Sequence, residues 1–372
     1  MDIRPVKAPK DLKAFIDLPY RLYRHDPIWV PPLRSEQRSQ FDPVLNPFLE
    51  HCEWQLFLAE EGGTVAGRIA AFVDRLANDA WQQQIGLFGY LECTTSPGLA
   101  RRLLETARDW LRARGCTAMR GPWSFVSQDW GMVVEGFAPS PVIMAPYNPP
   151  HYNQYLVDFG LQKAKDLLCW YVSAAEGYDV PDRIKHLTDA VAKRYGVRVR
   201  PIDMRRYDQE VDTVIEVSNA SLADNWGYSP VTEAEVRAMA RDLKQILQPK
   251  GVLVAEDRSG RPIGFAITLP DVNWLLKGLN GRMLPFGFLK LLYGIPRLRR
   301  YRMFALGVIP EYHGKAVDSL LYRALYESLY SPDTWMEINY VLEDNWAMVN
   351  AIHKLGAKPL RRYRVYEMAL ES

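Results

Sequence analysis

The sequence predicts an α/β protein built from two tandem copies of one unit, and three observations carry that prediction. Its 372 residues exceed what one typical core of about 100–200 residues holds. Strand-forming runs alternate with helical patterns along the chain. The order of those segments also occurs twice.

In the first copy, WQLFLAE (54–60) and TVAGRIAAFVD (64–74) read as a hairpin across Gly62 and Gly63. FGYLEC (88–93) follows as a strand, then a turn, the helix LARRLLETARDWLRAR (99–114) and the run TAMRGPW. In that helix Leu103, Leu104, Ala107, Trp110 and Leu111 recur at helical spacing, so one face is buried on a sheet. FGLQKAKDLLCWYV (159–172) turns at a glycine and ends in a β-rich aromatic run. VPDRIKHLTDAVAKRYG (180–196) reads as a linking helix, with Pro181 near its start and Gly196 past its end.

The second copy repeats the order. VRVRPI (197–202) opens it, and GVLVAED (251–257) pairs with PIGFAITL (262–269) across Ser259 and Gly260. RMFALGVI (302–309), a turn, the helix VDSLLYRALYESL (317–329) and TWMEINYV come next, and LGAKPLRRYRVYEM (355–368) closes it. Gly160 and Gly356, at matching turns, stand 196 residues apart. The expected domains are 1–176, a linking helix over 177–196, and 197–372.

Composition excludes several classes. The chain is 48% hydrophobic and 24% charged with formal net charge +2, which gives no basic track for nucleic acid. Up to Glu176 it holds 18 basic and 20 acidic residues, and 28 and 24 beyond, a mild bias that suits a small anionic ligand. Cys52, Cys93, Cys116 and Cys169 form no paired-cysteine motif, and MDIRPVKAPKD has no apolar signal region, so the expectation is a cytoplasmic protein with no metal. The most apolar stretch, LLKGLNGRMLPFGFLKLLYGIP (275–296), is interrupted by Lys277, Arg282, Pro285 and Lys290, which excludes a spanning helix and predicts an insertion covering a cleft, without a membrane partner. Phosphate-loop, His-x-x-x-His and Gly-x-Ser-x-Gly motifs are absent.

The segment LGVIPEYHGKAVDSLL (306–321) passes from strand to turn to amphipathic helix, the layout that offers backbone N–H groups and a helix dipole to a phosphate. Gly314 lets the backbone approach, His313 and Lys315 add positive charge, and Ala316 is a tolerable replacement for glycine provided its φ is negative. Asp318, in the first helical turn, suits the dipole but repels a phosphate, so a helix start without a ligand stands as the alternative.

This order of elements resembles the GNAT N-acetyltransferase family, and phrases such as NASLADNWGYSP and GMVVEGFAPSPVIMAPYNPPHY resemble bacterial tandem GNAT proteins. The family's Q/R-x-x-G-x-G/A turn reads His313 to Asp318 here, with none of its three defining positions filled as expected. Asn345 and Gly356 fit the family spacing further on, while Met348 and Ile352 stand where it has a small residue and a tyrosine. The resemblance implies mixed sheets flanked by helices and acetyl-CoA as co-substrate, held by Leu306, Val308, His313, Gly314, Lys315, Ala316 and Asn345.

On that reading Phe304 to Ile309 splays from its neighbour, and an N–H near Leu306 to Val308 polarises the thioester carbonyl. Glu337, with Glu343 behind it, is the candidate base. Tyr312, Tyr340 or His353 stands in as acid for the missing tyrosine. Asn225, Trp226 and Tyr228 form an acceptor loop, and Arg297, Arg299, Arg300 and Arg302 either meet a 3′-phosphate or form a solvated face. The first copy, whose turn is TTSPG, is expected to be structural. The expected activity is acetyl transfer to a small-molecule or peptide amine by a monomer or homodimer; the alternative is a non-catalytic binding or regulatory protein on the same fold.

Overall fold

The computed structural model describes residues 2–126, 130–222, 225–285 and 287–370. Ser127 to Asp129, Ala223, Asp224 and Phe286, which belong to segments singled out above, lie outside the described residues. The chain opens with β1 (Asp2–Pro5), α1 (Pro9–Leu22), α2 (Arg34–Gln40), β2 (Cys52–Glu61), β3 (Thr64–Asp74), α3 (Arg75–Trp81), β4 (Ile85–Cys93), α4 (Pro97–Arg112), β5 (Ala118–Gly121), β6 (Met132–Glu135) and α5 (His151–Phe159). It continues with β7 (Gln162–Ser173), α6 (Asp182–Tyr195), β8 (Arg198–Pro201), α7 (Tyr207–Leu222), α8 (Glu233–Lys244), β9 (Val252–Glu256) and β10 (Pro262–Pro270). The last elements are α9 (Asn273–Leu276), α10 (Gly287–Gly294), β11 (Arg300–Val308), α11 (Val317–Leu329), β12 (Trp335–Leu342), α12 (Trp346–Leu355) and β13 (Lys358–Ala369). This is the α/β class, with mixed sheets and flanking helices, that the sequence predicts.

Two compact units divide the chain. The first holds residues 1–166, 276–287 and 361–372, and the second holds 167–275 and 288–360. They differ from the repeat boundaries at 176 and 197, because each unit takes its closing strand from the opposite half of the sequence. In the first unit β5 pairs antiparallel with β13, Tyr366 facing Gly121 and Met368 facing Met119. In the second, β12 pairs antiparallel with β7, Met336 facing Val172 and Ile338 facing Trp170. The helix read as a linker, α6, belongs to the second unit and packs on α11, where Arg323 bonds Thr188 Oγ1 at 2.8 Å and Asp189 at 2.6 Å.

Each unit has its own core. In the first, Leu99, Leu103, Leu104, Ala107 and Leu111 of α4 are fully buried against Ile69, Ala71 and Phe88 of the sheet. In the second, Val317, Leu321, Leu325 and Leu329 of α11 pack on Phe265, Ala266, Tyr301 and Met303. At about 25 cal/mol per Å2 of apolar area, these helix faces are the main stabilisers of the units. Both expected hairpins form: Gly62 and Gly63 take φ of 55° and 76°, the left-handed values a two-residue turn between β2 and β3 requires.

The stretch 275–296, expected to cover a cleft, turns several apolar side chains to solvent. Leu284, Leu292 and Tyr293 are 77%, 62% and 61% exposed. Among the described residues no helix is long and apolar enough to cross a membrane.

Candidate active site

The geometry of the second unit begins with β11. On one side it runs antiparallel to β10 over its whole length, from Pro270 facing Tyr301 to Gly264 facing Val308. On the other it runs parallel to β12, but only from Arg300 facing Trp335 to Met303 facing Ile338. From Phe304 onward that edge is open. Ile309 N–H donates to Ile263 O at 2.9 Å, and an antiparallel ladder alternates its bonding direction. Gly307 and Ala305 therefore face β10, while the Leu306 backbone groups and the Val308 N–H turn to the open edge and the Val308 carbonyl accepts from His313.

Beyond the edge the chain turns through Pro310–Tyr312 into α11. Gly314 has φ 71° and a Cβ there would meet nothing within 4 Å, so the turn is open at this point. Ala316 does not meet the condition of negative φ under which alanine replaces glycine freely: its φ is 57°, a left-handed conformation that strains an L-residue by about 1–2 kcal/mol. No side chain caps α11, so the first N–H groups of the helix remain available to an anion at the positive end of the dipole. Left-handed Gly314 and Ala316 flank Lys315.

The charged residues of the turn are partly committed elsewhere. His313 Nε2 donates to Val308 O at 2.8 Å, tying the turn to the strand end. The Lys315 ammonium sits 4.3 Å from the Tyr312 ring centroid and 5.4 Å from that of Tyr195. Burial raises the Tyr312 phenol above its ordinary value. Asn345 accepts the Met348 N–H at 3.2 Å as the cap of α12.

Glu337 lies under the sheet face that carries Arg302, and the two stand directly opposite in the parallel ladder. They are 0% and 1% exposed. Arg302 Nε donates to Asn339 Oδ1 at 2.9 Å, and Asn339 Nδ2 donates to Glu337 Oε1 at 2.7 Å. A carboxylate and a guanidinium at this depth stabilise each other's charge; alone, either is strongly unfavourable. The Arg302 guanidinium also lies 5.0 Å from the Tyr340 ring centroid and 5.2 Å from that of Phe304. The structure thus brings Glu337, Tyr340 and Phe304 of the open edge around one buried cation.

That cation corrects the two readings of the basic run. Arg302 is internal, and Arg300 bonds Asp271 at 3.2 Å and stacks 3.6 Å from the Trp335 ring centroid, so neither belongs to a solvated face or a phosphate clamp. Arg297 and Arg299 bond local carbonyls. Alternation sets Arg300 and Arg302 opposite Tyr301 and Met303, and Arg302 is internal because both faces of β11 are covered there, which the local sequence does not signal.

The acceptor loop folds as a turn after α7, with Tyr228 Oη donating to Asn219 Oδ1 at 3.2 Å and Asn225 exposed. A neighbouring feature escaped the sequence reading. Helices α7 and α8 and strands β9–β11 line a half-open apolar cavity of about 90 Å3, with Val214, Met239, Ala240 and Leu243 on the helix side and Ile267 and Phe304 on the sheet side. Glu210 is its one carboxylate. Its Oε1 bonds Arg200 at 2.8 Å, and its buried Oε2 has no hydrogen-bond partner among the described residues. Gly307 is what lets α7 approach β11, since a Cβ there would lie 2.2 Å from Ser221 Oγ.

The first unit repeats the opening but fills it. Pairing of β4 with β5 ends at Leu87 facing Arg120. At the far end of β4, Cys93 N–H donates to Tyr152 Oη at 2.8 Å, and Tyr152 Oη donates to Cys93 O at 2.9 Å. A side chain from α5 occupies both backbone groups of Cys93, whereas at the matching end of β11 His313 takes only the Val308 carbonyl. Glu92 beside it receives the Tyr23 hydroxyl, and burial holds its carboxyl well above the usual carboxylate range.

In each unit a parallel pair that splits after three or four residues, followed by a turn and a helix across the split, gives the chain a tandem GNAT fold. A solved tandem GNAT protein from the clavulanic acid biosynthesis pathway shares the fold across 100% of this chain and 99% of its own, with TM-score 0.58 at 16% identity. No family model matches the chain. It belongs to the family that contains the bacterial ceramide synthase of Caulobacter vibrioides, 36% identical over 100% of this chain and 98% of that protein, and protein YghO of Escherichia coli, 33% identical over 98% and 94%.

Proposed function

We propose that the protein is an N-acyltransferase that moves an acyl group from a coenzyme A thioester, of which acetyl-CoA is the simplest, to an amine, with the chemistry in the second unit. The observation that carries this is the open edge of β11 from Phe304 to Val308, aimed at the uncapped start of α11. A pantetheine arm is a chain of amides that pairs with such an edge as a strand would, and a pyrophosphate suits the helix start. In the transfer, the amine nitrogen attacks the thioester carbonyl carbon, the C–N bond forms and the C–S bond breaks. A backbone N–H of Leu306 or Val308 receives the developing oxyanion. Glu337 takes the proton of the amine, and the departing thiolate is protonated by Tyr340 or Tyr312.

The acceptor in this reading is a long-chain amine. One relative is named a ceramide synthase, and a ceramide is the amide of such an amine with a fatty acid. The apolar cavity under α7 and α8 begins at Phe304, on the strand that would carry the thioester, and suits a hydrocarbon segment; dry apolar cavities of comparable order take up benzene. The test is direct: mix the purified protein with acyl-CoA thioesters of graded chain length and a sphingoid-type amine, and follow free thiol and amide product by mass spectrometry. Thiol release coupled one-to-one to amide supports the reading. Saturable coenzyme binding with no amide from any amine leaves a binding protein on a GNAT frame.

A further inference from the structure

The helix α10 wears its apolar face outward. Phe288, Leu289, Leu292 and Tyr293 are 46%, 37%, 62% and 61% exposed. At about 100° per residue they form one continuous stripe of roughly 140°, the width by which a surface helix normally meets its core. Lys290 flanks the stripe, and the Arg297 guanidinium donates to the Tyr293 carbonyl at the end of the helix; both cations are exposed. From Val272 to Pro310 the sequence has no aspartate or glutamate, while Lys277, Arg282, Lys290, Arg297 and Arg299 are basic.

We infer that α10 is a peripheral docking element for an anionic lipid bilayer. An apolar stripe edged by cations and free of acidic residues matches the boundary between acyl chains and anionic headgroups, where apolar burial and charge attraction add. A second copy of this chain is disfavoured by the same charges, because a symmetric contact would bring Lys290 and Arg297 against their own counterparts without an acidic partner. The helix is eight residues long, so it lies in the interface and does not span. This inference stands on α10 alone and does not require the transferase reading, although a lipid amine would be met at such a surface.

The test is co-sedimentation of the full chain with vesicles of phosphatidylglycerol and phosphatidylcholine, against vesicles of phosphatidylcholine alone, at low and high salt. The expected result is partition onto the anionic vesicles that weakens with salt. Lys290→Ser and Arg297→Ser should each lower it about fivefold, the ratio equivalent to roughly 1 kcal/mol per surface cation. The pair Leu292→Ser and Tyr293→Ser should abolish it while leaving the circular dichroism spectrum unchanged, since these side chains face solvent. Equal partition of wild type and variants, no partition at all, or a wild-type dimer that the Leu292→Ser and Tyr293→Ser pair converts to monomer without vesicle binding would each overturn the proposal. Amide formation on a detergent-dispersed amine reads the transferase separately: it persists in the α10 variants if the enzyme reading holds, and its absence in wild type leaves the vesicle result intact.

Discussion

Arg302 and Glu337 stand opposite each other on β11 and β12, both buried, with Asn339 hydrogen-bonded to each. The arrangement serves stability and chemistry together, and substitution separates the two. Arg302→Met leaves an uncompensated buried carboxylate and should cost about 3–5 kcal/mol in urea unfolding. The double change Arg302→Met with Glu337→Met removes both charges and should recover most of that loss. If Glu337 is the base, the recovered protein forms amide 10²–10⁴-fold more slowly, the usual contribution of a positioned base. A stable double variant with wild-type turnover would remove Glu337 from the mechanism.

The turn at Gly314 tests coenzyme binding with its own control. Its φ of 71° makes any other residue strained, so Gly314→Ala should lower stability by about 1 kcal/mol. Space is open there, so alanine should leave acyl-CoA affinity within a few-fold of wild type. Gly314→Trp adds the same strain plus a large ring in the turn, and calorimetric titration should show binding lost. Equal affinity in all three proteins would place the coenzyme elsewhere.

Chain-length preference should follow the cavity. Ala240 lines it from α8, a helix with no fully buried residue of its own, so Ala240→Phe can be absorbed at about 1–3 kcal/mol of overpacking. Turnover of a long-chain amine should then fall through a raised KM, while a short amine such as butylamine keeps its kinetics. Parallel losses for both amines would argue against the cavity as the acceptor's hydrocarbon site.

Tyr152 is expected to matter for folding alone. Tyr152→Phe strips the partner from Cys93 N–H and C=O in the interior, which costs about 1–3 kcal/mol for each buried group left unpaired. Amide formation by the folded fraction should not change. Gain of a second coenzyme-binding site in this variant would show that the first unit is a closed copy of the same groove.

Much of this was legible in the sequence because periodicity reports burial. The faces of α4 and α11, the hairpins at Gly62–Gly63 and Ser259–Gly260, and the strand before the Gly314 turn all followed from spacing and turn chemistry. The fold class was readable for the same reason. Partner choice between distant strands was not: nothing local in LGAKPLRRYRVYEM says that this strand pairs with Ala118–Gly121, because a ladder is made of backbone bonds that any sequence offers. The sign of φ at Ala316 was not legible, because a left-handed alanine is held by the turn around it and leaves no mark in composition. Arg302 was grouped with its charged neighbours along the chain, and alternation alone sets it opposite the core residues Tyr301 and Met303; it is interior because both faces of β11 are covered there.

Asp166 gives a pH-dependent readout of the first unit. It is fully buried, and Arg364 holds it at both oxygens, Nε to Oδ1 at 2.7 Å and Nη2 to Oδ2 at 3.0 Å. Burial alone would raise its pKa, but the Arg364 bonds outweigh burial and hold the carboxyl below its ordinary value. The native state therefore binds fewer protons than the unfolded chain in the acid range. Its stabilising effect is fully present above the ordinary aspartate pKa of about 3.9 and is lost as pH falls through the lower folded value. Asp166→Asn should lower stability at neutral pH, because it removes the charge that Arg364 pairs with, and the gap to wild type should narrow as pH falls below about 4. Urea unfolding of both proteins across that range checks it: a gap that stays constant into acid would mean that packing, and not the ion pair, sets the effect of the substitution.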